Sequence, residues 1–164
     1  MTLLLSLVLS AAQAAPEMIP LEEVDLVGRT APELSLPLRG GGSFDLAQAR
    51  GKPVVLSFWA SWCGPCRQEL PALSDLASRR DDVTIVAVNV DRESKDAERF
   101  LSQVRVDLPV ALDPEATALG AYEVASMPTT FVVDRNGTLK WRKVGYSSDN
   151  GLDELIAVLD GGRK

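Results

Sequence analysis

The chain of 164 residues contains no histidine. That absence removes Ser-His-Asp and Cys-His catalysis, His-ligated haem and every zinc site that needs an imidazole. Thiols, carboxylates, lysines and hydroxyls are left to carry any chemistry. Cysteine is nearly as scarce, with two residues, Cys63 and Cys66, in a single C-x-x-C. A zinc ribbon needs a second such pair, and a c-type haem site needs His after the second cysteine, where Arg67 stands. Positive charge is in deficit, 17 basic residues against 23 acidic for a net charge of −6, and no basic block occurs, so nucleic acid is not an expected partner. No apolar run is long enough to cross a bilayer. Residues 3–12 form an apolar run of signal-peptide length inside an uncharged stretch, residues 1–14, that ends in the small-x-small pattern Ala12-Gln13-Ala14. No Lys or Arg precedes that run. The expectation is a signal peptide, or short N-terminal anchor, over residues 1–14 and one exported domain over residues 15–164; the alternative is a frayed apolar start on a cytoplasmic protein. A content of 46% hydrophobic and 24% charged residues suits a single globular core.

Residues 31–36 alternate, Gly40-Gly41-Gly42 breaks the pattern, and residues 43–46 resume it, which predicts an N-terminal β-hairpin. The apolar, β-branched runs 54–59 and 83–90 read as strands buried on both faces. Between them Leu70, Leu73, Leu76 and Ala77 recur at helical spacing, predicting a helix over 63–78 that Pro71 should kink or weaken. A second helix is expected over 91–103, opened by Ser94, with Ala97, Phe100, Leu101 and Val104 facing inward, and a strand over 108–112. Asp113-Pro114-Glu115 has the form of a helix start, a capping Asp with Pro at the first helical position. A strand over 129–133, an Asn136-Gly137 turn, a strand over 139–144 and a helix over 152–159 complete the series. This is an α/β pattern, a central mixed sheet with helices on both faces.

The C-x-x-C lies between a predicted buried strand and the start of a predicted helix. A helix N-terminus carries unpaired N–H groups and partial positive charge, both of which favour a thiolate. Cys63 is therefore the expected nucleophile, since thiols so placed have pKa values lowered to about 3.5–7.5. Cys66, further in, can strike the mixed disulfide and release the product. Gly64 and Pro65 shape the turn between them. A purely structural disulfide is the alternative, but closing so short a loop gains little chain entropy.

These residues resemble the thioredoxin superfamily, and more closely its TlpA/ResA-like extracytoplasmic branch. Residues 58–66, Phe-Trp-Ala-Ser-Trp-Cys-Gly-Pro-Cys, resemble the family's active-site signature; Met127-Pro128-Thr129 resembles its cis-proline loop, and Asn136-Gly137 through Gly145 its final hairpin. The match covers nearly the whole chain after the leader, and the helix and strand over about 91–112 resemble the insert of that branch. The resemblance implies a thioredoxin-like fold, a cis Met127-Pro128 bond facing Cys63, and a loop backbone that pairs with substrate. Read from the residues alone, Pro128 would be an ordinary trans proline opening a strand.

Thioredoxin proper carries a buried Asp where this chain has Ser57, so proton handling at Cys66 falls to another group. Glu69 matches the acidic residue that the branch carries near its active site, and three residues on a helix bring it beside Cys66. The alternative is a solvated surface Glu. Trp62 offers an apolar surface to substrate or packs in the core. The expected function is an exported protein-disulfide reductase, since Gly64-Pro65 resembles thioredoxin, at about −270 mV, rather than oxidants near about −120 mV. It implies protein thiols and disulfides as substrates, with apocytochrome c among them. It further implies a membrane thiol–disulfide electron donor, a monomer, a periplasmic or otherwise extracytoplasmic setting, and neither cofactor nor metal. A peroxiredoxin-like peroxidase and a thiol-based copper carrier are the rival readings; the first expects a Pro-x-x-x-Thr pattern and the second an added His, both missing here.

Overall fold

The computed structural model describes residues 25–149 and 151–161. The leader expected over residues 1–14 lies outside the described residues. A five-stranded sheet runs in the order β5-β4-β3-β6-β7, built from β3 (Val54–Trp59), β4 (Thr84–Asn89), β5 (Val110–Leu112), β6 (Thr129–Val133) and β7 (Leu139–Val144). β3, β4 and β5 are mutually parallel, and β6 and β7 add antiparallel on the other side of β3. The sheet is mixed, as the alternation of strands and helices predicts, and all six residues of β3 are buried. β1 (Ser35–Pro37) and β2 (Ser43–Asp45) form the expected N-terminal hairpin as a separate antiparallel pair.

Side-chain parity assigns the two faces. Val54, Leu56 and Phe58 pack with Leu34 and Leu46 beside the hairpin, and with Ala118 and Tyr122 from α3 (Thr117–Ala121) and its end. Val55 packs with Leu73 and Leu76 of α1 (Cys66–Arg79) and with Leu155 and Leu159 of α4 (Asp153–Gly161), while Trp59 packs with Ala97 and Phe100 of α2 (Ser94–Leu101). The first face carries α3 and the hairpin, the second α1, α2 and α4. Tyr122 fills the middle of the first, its ring 5.4 Å from that of Phe58 and 5.3 Å from that of Phe131, and its hydroxyl donates to the Pro32 carbonyl at 2.9 Å.

Of the element starts that differ from expectation, three have a local reason. α1 begins at Cys66 rather than Cys63, because residues 63–65 form the turn that leads into it. Pro71 leaves α1 a single uninterrupted element. β5 begins at Val110, since Pro109 has no N–H to pair, although its carbonyl still accepts from the Ala87 N–H at 3.0 Å. α3 starts at Thr117, four residues past Asp113. Ala116 adopts a left-handed φ of 55°, and its N–H closes a turn onto the Asp113 carbonyl before the helix can start. Asp113 still caps it, accepting the N–H groups of Thr117 and Leu119 at 2.9 Å each.

Candidate active site

β3 is the central strand, with β4 reached through α1 on one side and β6 on the other, so its carboxyl end lies where the sheet's connections diverge. There the chain leaves Trp59 and reaches Cys63 through a turn closed by the Cys63 N–H on the Ala60 carbonyl at 3.1 Å. Gly64 and Pro65 are exposed, and Pro65 takes helical backbone angles as the residue before α1, where its missing N–H is no loss. Cys63 and Cys66 are joined in a disulfide, S–S 1.99 Å, with Cα atoms 5.4 Å apart. The N–H of Cys66, the first helical residue, donates to Cys63 Sγ at 3.3 Å. The outer sulfur thus stands in the capping position, just outside the helix, at the positive end of its dipole. Cys63 keeps 3% of its surface and Cys66 none, so a reagent arriving from solvent meets Cys63 first.

Trp62 is 72% exposed, which overturns its reading as a core residue and leaves an indole on the surface next to Cys63 in the chain. Immediately before β6, the Met127-Pro128 peptide is cis. Met127 is half-buried and packs against the cluster that contains both cysteines; Pro128 is buried and its carbonyl accepts the Gly145 N–H at 2.7 Å. Residues more than sixty positions apart in sequence are thereby brought to one site.

Glu69 is 3% exposed, so the solvated-surface reading is wrong. It points from α1 onto the sheet, where Ser57 Oγ donates to one carboxylate oxygen at 2.9 Å and Thr130 Oγ1 to the other at 2.8 Å. Burial pushes its carboxyl above the ordinary value, and the two hydroxyls and the charge of Lys143 pull it part of the way back. Ser57, singled out only as a departure from thioredoxin, is one of its two holders.

Sequence reasoning missed two other contributors. Thr130 is one; the available signal was that Ser57 and Thr130 are hydroxyls inside otherwise apolar strand runs. The second is Asp91, two residues past β4. Its carboxylate accepts the Ser61 N–H at 2.9 Å, the Ser61 hydroxyl at 2.9 Å and the Asn89 amide at 2.8 Å, and so ties the turn before Cys63 to the end of β4.

Residues 27–142 match the AhpC/TSA family. The chain belongs to that family. This AhpC/TSA chain is 38% identical over 132 residues to thiol-disulfide oxidoreductase ResA of Geobacillus kaustophilus, covering 79% of this chain and 76% of that protein. It is 34% identical to thioredoxin-like protein YneN of Bacillus subtilis over 133 residues, 79% and 78% of the two chains. Its structure matches one described as a thiol:disulfide interchange protein DsbE from Chlorobium tepidum with a TM-score of 0.75 and 38% identity, over 81% of this chain and 97% of that one. Within the AhpC/TSA family this chain is therefore a thiol–disulfide oxidoreductase of the ResA/DsbE type, with a thioredoxin-like fold and one Cys-x-x-Cys pair.

Proposed function

We propose that the chain is an exported protein-disulfide reductase. The observation that supports this reading best is the Cys63–Cys66 pair at the head of α1, with the outer sulfur on the first helical N–H and a buried carboxyl three residues beyond the inner one. In the reduced enzyme the Cys63 thiolate attacks a substrate disulfide. The substrate S–S bond breaks, one substrate thiolate leaves, and the other sulfur stays bound to Cys63. Cys66 then gives its proton to Glu69 and attacks Cys63 Sγ, forming the Cys63–Cys66 bond and expelling the second substrate thiolate, which takes up the proton. Two electrons have passed from enzyme to substrate. The raised carboxyl pKa of Glu69 suits this exchange, because proton transfer is most efficient between groups of similar pKa.

In this reading Trp62, Gly64 and Pro65 form the rim that a substrate chain meets, and Met127 and Pro128 the loop it lies against. Re-reduction falls to a membrane thiol–disulfide electron donor, since an oxidising compartment supplies few electrons. The uncharged leader over residues 1–14 supports a periplasmic or otherwise extracytoplasmic location, and the haem-site cysteines of apocytochrome c are one substrate of suitable chemistry. The enzyme acts as a monomer without cofactor or metal. Pre-reduced protein is expected to reduce the disulfides of insulin, Cys63→Ser to lose all turnover, and Cys66→Ser to accumulate a covalent adduct with its substrate. Hydrogen peroxide consumption without insulin reduction would instead identify a peroxidase, and retention of Cu(I) without turnover a copper carrier; either result overturns the reading.

A further inference from the structure

Ser57, Thr130 and Lys143 form one row across three neighbouring strands. Ser57 of β3 is directly opposite Thr130 of β6, and Thr130 is directly opposite Lys143 of β7. Residues directly opposite each other in antiparallel strands project to the same face, with Cβ atoms about 4.5–5.5 Å apart. Glu69 lies over the first two members of this row and accepts a hydrogen bond from each of their hydroxyls. The third member is a lysine. Its Nζ is buried, finds no hydrogen-bond partner among the described residues, and lies 3.5 Å from Oε2 of Glu154 on α4, a residue with a half-exposed side chain. An ammonium group held out of water without a hydrogen bond is a costly thing to keep for packing alone. A methionine would fill the same space.

We infer that Lys143 is a positioning residue that sets the ionisation of Glu69, with Glu154 as its counterweight on α4. The inference rests on the reading of Glu69 as the proton-exchanging group of Cys66, and adds what tunes it. The groups around Glu69 are few. From α1 comes Cys66. From β3 and β6 come neutral hydroxyls. Past the end of β7 stands Tyr146, whose phenol is held above its ordinary value by burial first and by the charge of Glu69 second, and so stays neutral. Lys143 is the cation whose charge opposes the rise of the Glu69 carboxyl. Burial disfavours the ionised carboxyl that could accept from Cys66. The two hydroxyls and, from one strand further away, the positive charge of Lys143 offset part of that rise, and a carboxylate on α4 that shares the same ammonium limits what the lysine contributes.

The disulfide form isolates the effect, because neither thiol titrates in it. Carboxyl-carbon NMR of Glu69 is expected to show its midpoint rise by about one pH unit in Lys143→Met. It should hold in Lys143→Arg, which keeps the charge, and fall in Glu154→Gln, which frees the ammonium. The reduced protein reacting with dithiobis(nitrobenzoate) provides the functional readout. Its second thionitrobenzoate is released when Cys66 attacks, and the pH profile of that phase should move with the NMR midpoint in each variant. Loosened packing has no reason to shift the two variants in opposite directions. A midpoint unmoved in Lys143→Met, or moved the same way in both variants, overturns the inference. So does a kinetic profile that ignores a shifted midpoint. If Lys143→Met does not fold, Glu154→Gln decides alone, at a partly exposed position. Glu69→Gln separates the two layers: a second phase whose pH profile it leaves unchanged overturns the role of Glu69 itself, whereas its loss there beside an unmoved midpoint in Lys143→Met removes only the lysine.

Discussion

Ser61 has no chemistry of its own, yet two of its groups are held by one carboxylate. Asp91, 9% exposed, takes the Ser61 N–H and hydroxyl together with an amide hydrogen of Asn89, and Cys63 follows two residues later. Removing the acceptor leaves three donors without a partner in a part-buried turn, and the cost of a stranded donor exceeds the net worth of the bond it made. Asp91→Ala is therefore expected to lower the stability of the disulfide form by about 2 kcal/mol, and Ser61→Ala, which removes one donor and strands none, by about 1 kcal/mol. Urea unfolding of the two variants checks the order; equal losses would mean that the Ser61 N–H and the Asn89 amide contribute nothing. Ser61 was legible only as one letter of the signature over residues 58–66 and Asp91 not at all, since an Asp after a strand is an ordinary turn residue and only the approach of β4 to the motif turn joins the two.

At the scale of elements, α2 is the part that the sequence predicts too long and the structure uses most economically. Its inward stripe holds Ala97 and Phe100, both nearly fully buried, with Leu101 and, beyond the helix end, Val104 partly buried against the same cluster. Phe100 lies 4.8 Å from the Trp59 ring, and the Arg67 guanidinium sits 4.8 Å from the centre of its own ring, so one side chain joins α2 to both β3 and the first turn of α1. It belongs to the same cluster as both cysteines. Phe100→Ala is expected to cost about 3–5 kcal/mol, as buried aromatic truncations do. Because the cavity opens beside the disulfide, it should also speed alkylation of the buried Cys66 thiol in the reduced protein, measured by mass spectrometry. A stability loss with Cys66 still fully protected would show that α2 braces the sheet and not the site. The helical stripe was readable from spacing; that it closes over the cysteines was not, because its partners come from β3 and α1.

For the whole molecule, the buried carboxyl couples folding to pH. Glu69 has a folded pKa above its ordinary 4.5, so between the two values the folded state holds more protons than the unfolded one. Stability then falls as pH rises from 4.5 through the folded value, and the full penalty remains above it. Glu69→Gln removes the titration. It is expected to be more stable than the parent at neutral pH, with the difference shrinking as pH drops toward 4.5, by denaturant unfolding of the disulfide form at a series of pH values. A parent that gains stability relative to the variant as pH rises would reverse the sign and show that Ser57, Thr130 and Lys143 outweigh burial.

By itself the sequence determined the order of strands and helices, the pairing of the two cysteines at a strand-to-helix junction and, through likeness to a family, the cis bond at Pro128. Those features are written in short spacings: alternation along a strand, three-to-four periodicity on a helix, two residues between sulfurs. Tertiary structure alone decided that Glu69 is buried rather than solvated, that Ser57 and Thr130 hold it, and that Lys143 completes their row. The physical reason is separation along the chain. The two hydroxyls lie 12 and 61 residues from the carboxyl they serve, and only the register of β3 against β6, and of β6 against β7, brings them to one place.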